Sequence, residues 1–332
     1  MRSSGLFTVA TVSGMSLAAT VRTIHQFPNP TWVENVASTR NGSLLVGILG
    51  QVPAQLHILD PFSNTTQDTL LHTFAPSNSI FGITEYETDV FAVAAGNFSF
   101  TTANGTGDAN IWSVDLRSGT TKSSIKVHKL VHLPDAQING IAALNSKALL
   151  FADSWAGNIR RVDIKTGKHE VVLEDATTAN NVSSPLPLGA NGLKILRPNA
   201  VPSSRDTPTL YFSNLQLSKM YSVPIDGNTG RPQGRVTTLA SGLGSVIDDL
   251  AVTDDGTVFL TRDAANDVVR ISGDGEAATL GGGNATVLGP TAAALGRTYR
   301  DRGVLYVSAM GGQQADGTFT EGGRVVAIDL DA

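Results

Sequence analysis

Ile138-Asn139-Gly140-Ile141 and Ala190-Asn191-Gly192-Leu193 are two copies of one phrase, in which a short polar step leads into an apolar strand. A third copy, Ile247-Asp248-Asp249-Leu250, carries two acids at the step. Each phrase continues through a turn into further apolar strands, and the copies recur at a spacing of roughly 50 residues. Self-similarity at this period predicts a stacked or radial repeat fold.

Six such units can be placed along the chain. Short apolar runs bounded by Gly, Asn and Asp are typical of strands joined by tight turns, and little of the sequence has the 3.6-residue apolar period of a long helix. The runs that we assign as middle strands are Ser43–Ile48, Val90–Val93, Ala148–Ala152, Thr209–Phe212, Thr257–Leu260 and Val304–Val307. The pattern predicts an all-β protein, a six-bladed β-propeller whose four-stranded antiparallel blades surround a central channel.

One domain accounts for the chain from residue 20 to residue 332. Val21–Phe27 has no blade of its own, and we expect it to form the outer strand of the last blade, where it would cover an open sheet edge. Long loops in a compact domain are often functional lids. Three are expected, over Ala176–Pro187, Gly273–Gly283 and Met310–Gly323.

The composition excludes several classes of function. The formal net charge of −5 gives no basic footprint for nucleic acid, and no dense run of Lys and Arg points to an anionic membrane surface. The chain has no Cys, so disulfides, thiolate metal sites and cysteine nucleophiles are excluded. The oligomeric state is left open.

The N-terminal segment indicates a secretory route. Residues 1–19 have the layout of a signal peptide, because Arg2 precedes a mildly apolar run that ends in small residues. Six N-x-[ST] sequons strengthen this expectation of a secreted glycoprotein; they begin at Asn41, Asn64, Asn97, Asn104, Asn181 and Asn284. A β protein rich in Asn, Ser and Thr also produces such triplets by chance, so a cytoplasmic location is the alternative.

The polar steps predict the functional site. In a propeller, positions at equal register before each inner strand converge on one axis; here they are Glu34, Phe81, Asn139, Asn191, Asp248 and Thr291. Four of the six offer oxygen ligands and two are acidic, which is the ligand set of one divalent cation such as calcium or magnesium. Asp249, beside Asp248, is a candidate base or orienting group. Because Asn-Gly is also a common tight-turn dipeptide, the prediction depends on the shared register.

Aromatic and apolar side chains make the predicted pocket suitable for a small hydrophobic substrate. Phe81 occupies a channel step, and Trp32, Trp155 and Met310 lie near strand or loop ends that could reach the channel. Packing within the blades is the alternative for these last three. No His occupies a channel step and no Gly-x-Ser-x-Gly elbow is present. No organic cofactor is expected, since Gly281-Gly282-Gly283 lacks the strand-loop-helix context of a phosphate site.

From residue 28 onward, the chain resembles the SMP-30/gluconolactonase-like family of six-bladed propellers. The matching pieces are Trp32-Val33-Glu34-Asn35, Ala190-Asn191-Gly192-Leu193 and Asp248-Asp249-Leu250-Ala251-Val252. The resemblance implies that Glu34, Asn191 and Asp248 bind a divalent cation and that Asn139 contacts metal or substrate. Asn35 and Asp249 depart from the family pattern, which has Gly at both positions.

The segments Asn29–Asn35 and Asp248–Val252 also resemble a fungal secondary-metabolism branch of this family. Its characterised relatives catalyse hetero-Diels–Alder coupling of a reactive quinone methide with a terpene alkene, as in tropolonic sesquiterpenoids. This resemblance implies a cyclase with Asn139, Asn191, Asp248 and Thr291 as catalytic residues and with Trp32, Phe81, Trp155, Asp249 and Met310 binding substrate. A metal-dependent lactonase and a non-enzymatic binding platform are the alternatives.

Overall fold

The computed structural model describes residues 19–63, 68–99, 104–105, 107–184, 186–197, 207–244, 246–283 and 286–330. The expected signal peptide lies outside these residues except for Ala19, as do Asn64, Asn284 and the side chain of Asn104 among the sequons. Asn41 and Asn181, at two other sequons, are exposed.

Strands make up almost all of the regular structure in these ranges. In chain order they are β1 (Val21–Gln26), β2 (Trp32–Ser38), β3 (Leu44–Leu49), β4 (Ala54–Leu59), β5 (Thr69–Phe74), β6 (Ser79–Glu87), β7 (Val90–Gly96), β8 (Phe98–Ser99), β9 (Asn104–Gly105), β10 (Ala109–Asp115), β11 (Lys126–Leu133), β12 (Ile138–Asn145), β13 (Ala148–Asp153), β14 (Asn158–Asp163), β15 (His169–Leu173), β16 (Ala190–Leu196), β17 (Thr209–Asn214), β18 (Lys219–Pro224), β19 (Thr237–Ala240), β20 (Ile247–Val252), β21 (Val258–Arg262), β22 (Asp267–Ile271), β23 (Ala277–Gly282), β24 (Pro290–Leu295), β25 (Val304–Ala309) and β26 (Arg324–Asp329). A 3-10 turn spans Asp263–Ala265. Within the described ranges, no helix has the length and apolar character needed to cross a membrane.

These strands form six four-stranded antiparallel sheets, numbered here as blades one to six. Their orders, from the inner strand outward, are β2-β3-β4-β5, β6-β7-β10-β11, β12-β13-β14-β15, β16-β17-β18-β19, β20-β21-β22-β23 and β24-β25-β26-β1. Neighbouring inner strands contact one another in sequence, and β24 contacts β2, so the ring is closed. The six-bladed propeller predicted from the repeated phrase is confirmed. The short hairpin β8–β9 projects from the second blade.

The N-terminal strand completes the sixth blade. β1 pairs antiparallel with β26, from Val21 opposite Ile328 to Gln26 opposite Arg324. The backbone N–H of Phe27 donates to the Gly323 carbonyl at 2.8 Å, which extends the pairing beyond the strand. The first and last strands of the described chain are therefore held in one sheet, and β1 rather than β26 forms its outer edge.

Apolar contacts between adjacent blades form the core. Between the third and fourth blades, for example, Leu150, Leu193 and Phe212 pack in one fully buried cluster. Both faces of a blade are covered by its neighbours, so the second strands β3, β7 and β13 are buried along their whole length. This explains why their sequences are continuous apolar runs and not the alternating pattern of a half-exposed sheet.

Candidate active site

Every inner strand has a register irregularity where the sequence places its polar step. In the first blade Val33 pairs with Ile48 and Asn35 with Gly47, which leaves Glu34 as the extra residue. Equivalent shifts occur at Phe81, Asn139-Gly140, Asn191-Gly192, Asp248-Asp249 and Thr291. A β-bulge bends its strand and re-aims a side chain. The repeated bulge is the local reason that the steps depart from the regular sheet ladders.

The Asn-Gly dipeptides are not turns. They lie inside β12 and β16, where the next blade packs directly against each glycine. A Cβ on Gly140 would lie 2.4 Å from the carbonyl oxygen of Asn191, and one on Gly192 would lie 2.5 Å from Asp249 Oδ1. Glycine is needed at both positions because the neighbouring chain approaches so closely. The tight-turn alternative is therefore excluded.

Five of the six steps line one cavity in the channel, which has a volume of about 90 Å³ and is called the central cavity below. They are Glu34, Phe81, Asn139, Asn191 and Asp248, and Trp32 lies beside them. The remaining wall residues are Leu49, Phe98, Gly105, Gln137, Ser154, Leu186, Leu188, Leu215, Val246 and Asp263. The cavity thus combines a cluster of carboxyl and amide groups with an extensive apolar wall.

A second set of equivalent positions contributes to the site, and of its members Met310 alone was predicted from the sequence. Ser154, Leu215 and Asp263 each immediately follow the second strand of their blade and line the central cavity. Met310, which was predicted, holds the same position after β25 and lines an adjoining space. Extending the alignment of the blades from the inner strand to the end of the second strand would have located these residues.

Trp32 and Glu34 form a close pair inside the cavity. The indole Nε1–H of Trp32 donates to Glu34 Oε2 at 2.6 Å. Burial raises the pKa of Glu34 from 4.5 to about 8, against the opposing effect of the Trp32 hydrogen bond and with smaller contributions from the charges of Asp263 and Asp249. Burial therefore favours the protonated form of Glu34, which has an O–H available for donation.

Two further acids line the same cavity. Burial, followed by the charges of Glu34, Asp263 and Asp249, raises the pKa of Asp248 well above its usual range, and a hydrogen bond with Asn191 opposes the shift. Burial alone raises the pKa of Asp263 to about 7. Like charges and low solvation thus favour the neutral acid forms at this point of the channel.

The oxygens of this cluster fit a divalent cation if amide groups complete the ligand set. Asn191 Oδ1 is buried without a hydrogen-bond partner in the described part of the chain, and it lies in the cavity with the carboxyl groups of Glu34 and Asp248. Within that same part, no three His, Cys, Asp or Glu side chains are grouped as metal ligands. Asn191, together with Asn139, would therefore have to supply neutral oxygens, as hard cations accept.

Besides Met310, three predicted site residues lie outside the lining of the central cavity. Thr291 sits at its bulge, but its buried hydroxyl donates to the Val33 carbonyl at 2.8 Å and bonds to Ser308 Oγ at 2.9 Å, which ties the sixth blade to the first. Trp155 is 36% exposed and does not line the central cavity. The expected roles of Thr291 in catalysis and of Trp155 in substrate binding are not supported by this geometry.

Asp249, the third of these residues, belongs to a polar plug across the channel. Both of its carboxylate oxygens accept hydrogen bonds from Lys194 Nζ at 2.9 Å, and Oδ2 also accepts one from Asn35 Nδ2 at 3.2 Å. Just beyond this plug, Val36 and Ala251 line a separate cavity of about 480 Å³. Asp249 therefore closes the channel behind the central cavity, and its predicted contact with substrate is not supported by this placement.

Two larger spaces adjoin the central cavity on the site side. The first, of about 610 Å³, is called the polar compartment because its lining includes the polar side chains of Asp263, Asn266, Gln313, Gln314 and Thr320. The rest of its lining is largely apolar and consists of Trp32, Phe98, Leu186, Val246, Ala264, Leu288, Gly289, Met310 and Gly312. The apolar compartment, of about 590 Å³, is lined by Asn29, Pro30, Trp32, Leu49, Gly50, Gln51, Gly317, Thr318 and Phe319. The loop between β25 and β26 contributes to both, and Phe319 meets Trp32 edge to face with ring centroids 6.0 Å apart.

Comparison with solved structures shows that this architecture is shared. Regucalcin from Agrobacterium tumefaciens, described as a calcium-binding protein, superposes with a TM-score of 0.64 at 18% identity, over 93% of each chain. A luciferin-regenerating enzyme superposes with a TM-score of 0.63 at 14% identity, over 94% of this chain and 95% of that one. At these identities the likeness concerns the fold alone.

Sequence comparison finds more specific relatives. A Phoma sp. protein provisionally named a hetero-Diels–Alderase is 27% identical over 314 residues, which cover 86% of each chain. A Sarocladium schorii protein with the same provisional name is 25% identical over 325 residues, covering 86% of this chain and 77% of that protein. No protein-family profile matches the chain. The resemblance drawn from the sequence is confirmed, in that the chain is similar to proteins provisionally named hetero-Diels–Alderases and has the six-bladed fold of SMP-30/regucalcin-like propellers.

Proposed function

We propose that the protein is a cyclase that catalyses a hetero-Diels–Alder coupling in the central cavity. The diene would be an α,β-unsaturated carbonyl of the quinone methide type, and its partner a terpene alkene. In this [4+2] reaction one C–C and one C–O bond form while three π bonds become one. No atom is lost and no proton or electron is transferred, so the protein needs to supply orientation and stabilisation of charge but no nucleophile.

The observation that carries the proposal is that the carboxyl groups of Glu34 and Asp248 line the central cavity beside an apolar wall. The carbonyl oxygen of the heterodiene gains negative charge as the C–C bond forms ahead of the C–O bond, and preorganised donors aimed at that oxygen lower the barrier. Burial raises the pKa of both Glu34 and Asp248 and so favours their neutral forms, and a neutral carboxyl can donate where a carboxylate cannot. Asn139 supplies an amide donor in the same cavity.

The apolar wall would hold the two reactants in a reactive orientation. Phe81, Phe98 and Leu215 line the central cavity beside the acids. Apolar contact with an alkene fixes its position without consuming the hydrogen bonds that the heterodiene needs, and fixing two reactants in near-attack geometry removes much of the entropic barrier of a bimolecular step. The provisional names of the two relatives give independent support to this reaction class.

The proposal is tested by coupling an ortho-quinone methide, generated in solution from 2-hydroxybenzyl alcohol, to a terpene alkene with and without the protein. We expect a faster reaction and an enantiomeric excess that survive chelation. Glu34→Leu removes the donor and should lower the rate by about 10²-fold, whereas Glu34→Gln keeps an N–H and should retain most of it. Racemic product at an unchanged rate would refute the proposal.

A divalent-metal-dependent lactonase is the second candidate, and the unpartnered Asn191 Oδ1 is the observation that favours it. Glu34, Asn191 and Asp248 would hold the cation, with Asn139 contacting metal or substrate. When bound, the cation would polarise a lactone carbonyl and acidify water. Asp263, whose pKa burial raises to about 7, would then accept a proton at the cavity wall. Hydrolysis of simple lactones that is lost on chelation, and lost equally in Glu34→Gln and Glu34→Leu, would support this candidate instead.

A further inference from the structure

The central cavity is too small to contain the reactants of a bimolecular coupling. Its volume is about 90 Å³. Sites for small organic ligands usually occupy about 300–1,000 Å³. The reacting atoms alone can therefore lie among the acids, and the remainder of each reactant must extend outward.

In the described part of the chain, two larger spaces share lining residues with the central cavity, and each is large enough for one reactant. The polar compartment measures about 610 Å³ and the apolar compartment about 590 Å³. Among the described lining residues, Trp32 is the one that the polar and apolar compartments have in common. Trp32 also lines the central cavity. Leu49 connects the apolar compartment with the central cavity, while Asp263 connects the polar compartment with it.

The apolar compartment presents hydrocarbon surface because its polar side chains bond to the protein. Asn29 Nδ2 donates to the Phe319 carbonyl at 3.1 Å, and Gln51 Nε2 donates to the Pro30 carbonyl at 3.4 Å. The Thr318 hydroxyl donates to Asp316 Oδ1 at 2.6 Å. The faces left for a ligand come mainly from Pro30, Leu49 and Phe319, and no titratable side chain lies among the described residues of this lining.

The polar compartment offers groups that can bind an oxygenated molecule. Asp263 lies where the polar compartment meets the central cavity, and the Asp263 carboxyl group forms no hydrogen bond within the described ranges. The Gln313 side chain is exposed and also forms no hydrogen bond within those ranges. Backbone pairing between Gln313 and Phe319 holds the β25–β26 loop together across its width. One side of this loop thus faces the polar compartment and the other the apolar compartment.

From this division we infer that each reactant has its own compartment, an inference that rests on the proposed cyclase function. The oxygenated heterodiene occupies the polar compartment, with its oxygen substituents toward Asp263 and Gln313. The terpene hydrocarbon occupies the apolar compartment against Leu49 and Phe319. Their reactive ends meet in the central cavity beside Trp32, where both new bonds form, so the protein binds a ternary complex with two independent sites.

The inference is tested by binding in a Trp112→Phe/Trp155→Phe background, in which Trp32 is the one fluorophore of its kind. The probes are limonene for the terpene hydrocarbon and 2-hydroxybenzyl alcohol for the oxygenated partner, and neither reacts with the other without activation. We expect each probe to change Trp32 fluorescence and each to bind with a Kd that shifts by less than about twofold when the other is saturating. A twofold change in Kd corresponds to a change in binding free energy well below the 1.4 kcal/mol of a tenfold change.

Two substitutions in one loop provide matched controls. Phe319→Ala removes apolar surface and should weaken limonene by about tenfold, with 2-hydroxybenzyl alcohol unaffected. Gln313→Ala removes a hydrogen-bonding amide and should weaken 2-hydroxybenzyl alcohol by about fivefold, with limonene unaffected. Competition between the probes, an equal effect of either variant on both, or the failure of either probe to bind would overturn the inference.

The coupling assay separates this inference from the function on which it rests. Stereoselective coupling by a protein on which the probes compete would refute the two compartments and leave the cyclase in place. Absence of coupling, with independent binding of the two probes, would refute the cyclase and retain the two binding spaces.

Discussion

Asn35 Nδ2 donates a hydrogen bond to Asp249 Oδ2 at 3.2 Å across the channel. Both residues directly follow a channel step, at the position that Gly82, Gly140 and Gly192 occupy in the second, third and fourth blades. The two departures from glycine noted in the sequence are therefore partners, and Lys194 neutralises the acid of the pair. Their bond closes the channel where glycine would leave only backbone contact.

This pairing predicts that Asn35 and Asp249 are energetically coupled. Asp249→Ala leaves Lys194 without its partner and should lower the free energy of unfolding by about 3 kcal/mol. Asn35→Ala removes one hydrogen bond and should cost about 1 kcal/mol. We expect the two losses to be non-additive in urea titrations. The fall in the free energy of unfolding of the double variant should be smaller, by at least about 0.5 kcal/mol, than the sum of the falls in the two single variants. Additive losses would show that the bond does not couple the two strands.

The glycines between adjacent inner strands should not tolerate a methyl group. A Cβ at Gly140 would lie 2.4 Å from the Asn191 carbonyl oxygen, so Gly140→Ala should separate the third and fourth blades and cost about 2–4 kcal/mol, as overpacking of a rigid site does. Gly273→Ala is the control, since no atom lies within 4 Å of its added Cβ. Equal midpoints of thermal unfolding for the two variants would contradict this account.

The stability of the protein should decrease as pH rises through the titration of Glu34. Its pKa is 4.5 when exposed and about 8 when folded, because burial disfavours the charge. Below pH 4.5 Glu34 is protonated in both the folded and the unfolded protein, so its titration does not affect stability. Between pH 4.5 and about pH 8 Glu34 ionises in the unfolded chain but not in the folded protein, which lowers the free energy of unfolding by about 1.4 kcal/mol for each pH unit. We expect Tm to fall over this range in differential scanning fluorimetry and the slope to be smaller for Glu34→Gln. An identical slope in the variant would place the titration elsewhere.

Trp32 should report the same protonation directly. In the Trp112→Phe/Trp155→Phe protein, the signal comes from Trp32, whose indole N–H donates a hydrogen bond to Glu34 Oε2. This hydrogen bond becomes charge-assisted when the Glu34 carboxyl group loses its proton. We expect a change in fluorescence with a midpoint of about pH 8, which belongs to the acid cluster as a unit. Glu34→Gln should abolish the transition, whereas Asp301→Asn, away from the cavity, should preserve it. A flat titration of the parent protein would contradict the raised pKa.

Calcium should compete with protons for the acid cluster. A cation held by Glu34, Asp248 and the unpartnered Asn191 Oδ1 requires ionised carboxyl groups, so its affinity should rise by at least about tenfold from about pH 6 to about pH 8. Isothermal titration calorimetry measures this, and Asn191→Leu should weaken the binding at both pH values. If calcium does not bind at about pH 8, the lactonase candidate loses its basis. If the hetero-Diels–Alder coupling persists in the presence of a chelator, the cyclase is supported.

The sequence was sufficient to predict the fold and the register of the inner strands. Ile138–Ile141 and Ala190–Leu193 define that register because the same bulge recurs in every blade, and Glu34, Phe81, Asn139, Asn191 and Asp248 consequently line one cavity. Ala277–Gly282, by contrast, was expected to be a loop. It forms the outer strand of the fifth blade, a position that needs backbone pairing more than apolar side chains.

The parts of the site that could not be predicted depend on contacts between blades. Thr291 shares the register of the other steps, but its hydroxyl bonds to the Val33 carbonyl across the junction of the sixth and first blades. The preference of a hydroxyl for a carbonyl of another blade has no signature in the local sequence. Asp263 was missed because it follows the second strand of its blade, and a single acid before a turn is more often solvated than buried.

The repeated bulge has a consequence for how such a protein can change. A residue at a bulge is additional to the ladder, so exchanging Glu34 or Phe81 alters the chemistry of the channel while the pairing of Val33 with Ile48, or of Ile80 with Ala95, stays in place. Apart from Thr291, which ties two blades together, the scaffold therefore offers positions whose identity is nearly independent of the pairing of the sheet. A combinatorial library restricted to these bulges is a rational route to new reactions on the same ring.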